Sequence, residues 1–152
     1  MVNIGEYNEL VAYQQIDAGM LLIPKDADID EEDLEKVLLP NAYLPRDLSH
    51  GDAIEVFIYL DSEDRIIATN LTPKVTLGNF AYLAVKEVNS VGAFLDMGLA
   101  KDLLVPYRQQ ASEMVEGKSY LVHMYLDETT NRLIASSKVN RFLSNDNVEV
   151  ME

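Results

Sequence analysis

The chain has 152 residues, enough for one ordinary domain or two of about 70 residues each. Its 48% hydrophobic and 25% charged residues exclude disorder over most of its length, and its lack of cysteine excludes disulfides and thiolate metal sites. A net charge of −14 argues against indiscriminate nucleic-acid binding, yet residues 1–73 carry 4 basic and 16 acidic groups whereas residues 74–152 carry 8 and 10.

In chain order, the amino terminus has no basic and apolar leader, and no later apolar run approaches the roughly 20 residues of a membrane span. A soluble cytoplasmic protein without membrane contact is expected. The stretch "PKDADIDEEDLE" has the composition of a surface loop. Its Asp26, Asp28 and Asp30 have the spacing of a calcium loop, but Glu31 stands where the glycine is needed and Val37 where the closing glutamate is needed.

"AIEVFIYLD" alternates with a period of two, placing Ile54, Val56, Ile58 and Leu60 on one face and Glu55, Phe57, Tyr59 and Asp61 on the other. The turn "SED" and the strand "RIIAT" complete a hairpin. "TNLTPKVTL" follows as a linker, in which Pro73 blocks a central strand.

Beyond it, "FAYLAVKEV" and "GAFLDM" flank the turn "NSVG", and "DLLVP" is a third short strand. "YRQQASEM" suits a small helix. "SYLVHMYLD", "ETTN" and "RLIAS" then repeat the earlier strand, turn and strand, and residues 139–152 read as a tail or linker.

The repetition extends beyond the hairpins. Pro40, Gly51, Tyr59, Leu60 and Asp61 recur 66 positions later as Pro106, Gly117, Tyr125, Leu126 and Asp127. One extra residue in the second turn places Arg132 and Ala135 67 positions after Arg65 and Ala68. Gly5, Tyr7, Leu10 and Gly19 recur 73 positions later as Gly78, Phe80, Leu83 and Gly92, which leaves a seven-residue insertion in the acidic loop. Two domains over 1–72 and 73–138 follow. Five short strands with a small helix between the third and fourth are the order of an OB-type barrel, so the expected fold is all-β, two tandem five-stranded OB-fold barrels.

The succession "GAFLDMG", "DLLVP" and "YLDETTNRLIASSK" resembles the S1-type RNA-binding domain. More closely, "VLLP", "GDAIEVFIYLDSEDRIIAT", "GAFLDMGLAKDLLVP" and "YLVHMYLD" are similar to the amino-terminal part of the conserved virulence factor B family, bacterial cytoplasmic RNA-binding regulators. The resemblance covers roughly residues 4–138; members of that family continue into a further S1-type domain and a winged helix.

The resemblance implies single-stranded RNA as ligand, bound by stacking aromatics, a basic group and polar loop residues. It places Phe94 at the stacking position and Asp127 and Arg132 at the hairpin; Tyr125, Lys86 and Lys101 of the same unit are further candidate contacts. Arg108, Lys118, Lys138 and Arg141 are further cations of the second unit. Val91 and Pro106 stand where the pattern has an aromatic and a histidine. In the first unit Asp61, Arg65 and Tyr59 are weaker counterparts, and Leu21 takes the place of Phe94. Both hairpin pairs also suit a purely structural role, the Asp bracing its turn and pairing with the Arg.

His50 and His123 have no second ligand at metal spacing, and no nucleophile, phosphate-loop or dinucleotide motif is present. The sequence therefore reads as a non-catalytic, cofactor-free tandem module that binds RNA rather than DNA, mainly through the second domain. The alternative is a protein-interaction scaffold whose acidic first barrel docks a basic partner. A metal-dependent hydrolase ranks last.

Overall fold

A computed structural model of the chain describes residues 2–140. They form two compact units that divide between Thr72 and Pro73.

The first unit contains β1 (Tyr7–Ile16), β2 (Gly19–Pro24), β3 (Val37–Pro40), a 3-10 turn (Asn41–Tyr43), β4 (Ala53–Leu60) and β5 (Ile66–Thr69). These close into a barrel in the order β1-β2-β3-β5-β4. The second unit repeats the plan with β6 (Phe80–Val88), β7 (Gly92–Leu95), β8 (Leu103–Pro106), a 3-10 turn (Tyr107–Gln109), β9 (Ser119–Asp127) and β10 (Arg132–Ser136). Its closed order is β10-β8-β7-β6-β9. The expected pair of five-stranded OB-fold barrels is what the chain adopts.

Closure depends on two local devices. The first strand of each unit shifts register, between Ala12 and Gln14 in β1 and between Val85 and Glu87 in β6. Such a bulge bends the strand, so that one half pairs with the second strand and the other half with the fourth. The other device is a parallel pairing, Leu38 opposite Ile67 in the first barrel and Leu104 opposite Ile134 in the second. Among the described residues all other pairings are antiparallel.

The cores follow the repeat. Leu10, Leu22, Leu39, Val56 and Ile58 lie in the first core, and Leu83, Leu95, Val105, Val122 and Met124 are the buried residues at the same places in the second. Burying each such side chain contributes about 1.5–3 kcal/mol. In the second half of β4 both faces are buried, Phe57 and Tyr59 on its outer side being 0% and 4% exposed, whereas Glu55 earlier on that side is exposed.

The helix expected over "YRQQASEM" shortens to the single turn Tyr107–Gln109. Gln110 is already extended, and its side chain donates to the carbonyl of Val105 and accepts from the backbone N–H of Met114. Backbone groups that a helix would pair internally are thus paired by a side chain.

Candidate nucleic-acid interface

Alternation on β7 decides which way Phe94 points. Ala93 and Leu95 are fully buried, so Phe94 between them lies on the outer wall, half-buried, with Glu87 of β6 on one side and Leu104 of β8 on the other. Gly92 makes this packing possible: a Cβ there would lie 2.4 Å from the Val105 carbonyl oxygen and 3.0 Å from Cα of Pro106. Gly19 does the same for β2, where Leu21 stands at the position of Phe94 with Gln14 and Leu38 as neighbours.

From Phe94 the register continues outward through Leu104 on β8 and Ile134 on β10 to Tyr125 on β9. One step along, Arg132 faces Asp127. The parallel pairing of β8 with β10 sets Arg132 level with Asp102, the residue after Lys101. Lys86 reaches the same end of the wall, its ammonium 3.1 Å from the Asp102 carboxylate. The fold thus gathers Phe94, Tyr125, Asp127, Arg132 and Lys86 on one wall of the second barrel, and Lys101 lies in the loop just before β8. With strands about 4.8 Å apart, Phe94 and Arg132 are roughly 12 Å apart at the backbone, within reach of one short oligonucleotide.

Lys86 is exposed and its partner Asp102 is partly buried at the surface. A surface ion pair contributes about 0–1 kcal/mol, so a phosphate exchanges for it readily. Lys74 holds Asp96 at 3.0 Å, and this bond, with the Gly98 backbone N–H, keeps the Asp96 carboxyl below its usual range. Arg108 and Lys118 are exposed and Lys138 is half-buried; Arg141 and most of the expected tail over 139–152 lie outside the described residues.

The Asp of each hairpin accepts hydrogen bonds from its own turn. Burial alone would raise the Asp61 carboxyl, but backbone N–H groups of Arg65 and Glu63 and the Arg65 guanidinium outweigh it and hold it low. Arg65 Nε lies 3.0 Å from Asp61 Oδ2, so this pair braces its own turn. In the second hairpin the Asp127 carboxylate accepts from the Thr129 backbone N–H and the Thr130 hydroxyl, both at 3.1 Å. Arg132 is exposed on the adjoining strand.

Behind the hairpins each barrel carries three aromatic rings in a row. Phe57 is flanked by Tyr7 at 5.8 Å and Tyr59 at 6.4 Å between ring centroids. His123 is flanked by Phe80 at 4.7 Å and Tyr125 at 6.3 Å. Tyr59, expected as a weak ligand contact, is 4% exposed and offers no open face to a base, whereas Tyr125 is half-buried.

Two exposed rings of the second barrel carry no signal in the sequence patterns above: Tyr82 on β6, 72% exposed, and Tyr107 after β8, 49% exposed. Tyr82 faces Leu121 where the first barrel has Glu9 opposite Glu55. That like-charged pair lies beside the acidic insertion, to which it is tied by Lys25 at 3.4 Å from Glu9. Among the described residues no three His, Asp or Glu side chains are grouped to hold a metal, and no helix is long and apolar enough to cross a membrane.

Comparison with known proteins agrees with this architecture. A family model described as the S1 domain matches residues 4–71 and again residues 77–138. The uncharacterized protein YitL of Bacillus subtilis (strain 168) is 38% identical over 102 residues, 66% of this chain and 32% of that protein. A multidomain protein with nucleic acid binding domains from Streptococcus pneumoniae TIGR4 shares the fold, with a TM-score of 0.65 at 18% identity over 87% of this chain and 45% of that one. The chain thus spans less than half the length of either relative.

Proposed function

The chain belongs to the S1 domain family, and on that premise we propose that it is a non-catalytic RNA-binding protein that takes single-stranded RNA mainly on its second domain. Residues 1–72 and 73–138 are the two domains of this reading. Phe94 stacks a base, Lys86, Lys101 and Arg132 meet phosphates, and Asp127 and Tyr125 shape the hairpin side of the site. Asp61 and Arg65 are the weaker equivalents of the first domain. The observation that carries the reading is the outward placement of Phe94 on a wall shared with Lys86 and Arg132, where the first barrel has Leu21. In keeping with its resemblance to the conserved virulence factor B family, the biological role is post-transcriptional control of gene expression in a bacterial cytoplasm. Titration of a labelled single-stranded RNA at two salt concentrations tests it: binding that weakens steeply with salt is expected, and no binding at low salt overturns it.

A second reading rests on one observation. The first barrel carries Glu9 opposite Glu55 next to its acidic insertion, a surface suited to a basic protein partner. Retention of RNA binding after the charges of this face are neutralised separates the two functions.

A further inference from the structure

Tyr107 is the first residue of the 3-10 turn that follows β8, and it is 49% exposed. Its hydroxyl donates to the Asn89 carbonyl in the loop between β6 and β7. That loop is itself held: the Asn89 N–H donates to the Gly92 carbonyl at 3.0 Å, and Asn89 Oδ1 accepts from the Val91 N–H at 2.9 Å. The ring is therefore anchored at both ends, by the backbone of the turn and by the hydroxyl. An aromatic group fixed in this way gives a large contact area and loses little conformational entropy when a ligand arrives.

The first barrel has the same latch without the ring. Asn41 begins its 3-10 turn, 66 positions before Tyr107, and its side-chain amide donates to the Asp17 carbonyl in the loop between β1 and β2 at 2.7 Å. The architecture needs a polar tip at this position but not an aromatic body. The ring is an addition of the second barrel, which is also the barrel with Phe94.

Phe94 and Tyr107 lie at different stations of one wall. Gly92 faces Pro106, and Phe94 faces Leu104 two residues further along. Two strand residues span roughly 7 Å, about twice the 3.4 Å separation of bases stacked in a duplex. Tyr107 follows Pro106, so it stands at least that far along the wall from Phe94, a spacing that suits bases that have come apart from one another, as in a splayed single strand. Lys86 and Arg132 occupy the opposite end of the wall, so Phe94 stands between a cationic end and Tyr107.

We propose that Tyr107 is a second stacking platform that, with Phe94, makes the site select unstacked, single-stranded nucleic acid over duplex. This rests on the RNA-binding reading of the same wall. It assigns the ring to ligand contact and the hydroxyl to holding the ring in place.

Two substitutions in the full chain separate those roles. Tyr107→Phe keeps the ring and removes the latch, while Tyr107→Asn restores the first barrel's latch and removes the ring. Binding of a fluorescein-labelled oligouridylate is read by anisotropy, with thermal melting as the control for folding. Tyr107→Asn is expected to weaken binding by about 5- to 150-fold, the range for one missing base stack, and Tyr107→Phe by less. If Tyr107→Asn binds like the parent, or Tyr107→Phe is as weak as Tyr107→Asn, the inference is overturned while RNA binding by the wall stands. If the folded parent binds no single-stranded RNA, both readings fall.

Discussion

His123 occupies in the second barrel the place that Phe57 occupies in the first, between two aromatic rings on the outer side of the fourth strand. Phe57 is fully buried and His123 is 9% exposed. An ionisable ring has replaced an apolar one at a nearly closed site.

A pH dependence follows. Burial lowers the His123 pKa, opposed in part by a hydrogen bond with the backbone of Gly78. A depressed histidine favours the neutral form in the folded state, so its share of stability is fully present above the unfolded pKa of about 6.5. It is lost as pH falls below that value toward the folded pKa. Thermal melts between pH 7.5 and 5 should show a declining midpoint, and His123→Phe should flatten that decline. An equally steep decline in His123→Phe would remove His123 as its source.

Gly92 sets a steric prediction. Its φ is +152°, and a Cβ would be driven against the backbone of Val105 and Pro106. Gly92→Ala should lose about 1–3 kcal/mol in urea unfolding. Gly117, with φ +87° but no atom within 4 Å of a built Cβ, should lose less on the same substitution. Equal losses at the two sites would show that close approach to β8 is not what requires glycine.

The acidic insertion is exposed along most of residues 25–34. Its backbone makes few bonds to the barrel, so limited digestion with a Glu-specific protease should cut first after Glu31 or Glu32. First cleavage after Glu55, inside β4, would contradict this assignment.

Salt dependence tests the cationic end of the wall. Replacing Lys101 or Arg132 with Ala should lower affinity for single-stranded RNA and reduce the logarithmic salt slope by about 0.7 for each phosphate that is no longer neutralised. Unchanged slopes in both variants would place the phosphates elsewhere.

Much of the fold is legible because the chain states it twice. The offsets of 73, 66 and 67 residues locate β1 and β2, β3 and β4, and β5 against their partners, and a period of two identifies β4 and β9 as strands. The outer face of β4 is less legible, since the buried Phe57 and Tyr59 sit where alternation alone reads as a solvent face. Helix length after Pro106 is hidden because its limit is set by the side chain of Gln110, a tertiary choice that composition does not reveal. At the candidate site, Phe94 is marked by its motif, and its facing by the burial of Ala93 and Leu95. Tyr107 escapes notice because it reads as the start of a helix. The available signal is its alignment with Asn41, which shows that the position does not require an aromatic.

The most direct test compares Phe94→Ala with Leu21→Ala, the same position in the two barrels. Both proteins are first shown to be folded, and binding of labelled single-stranded RNA is then titrated at fixed salt. The account predicts that Phe94→Ala weakens binding by about 1–3 kcal/mol and that Leu21→Ala leaves it unchanged. Parent-like affinity in folded Phe94→Ala, or an equal loss in Leu21→Ala, would contradict an RNA site on the second barrel.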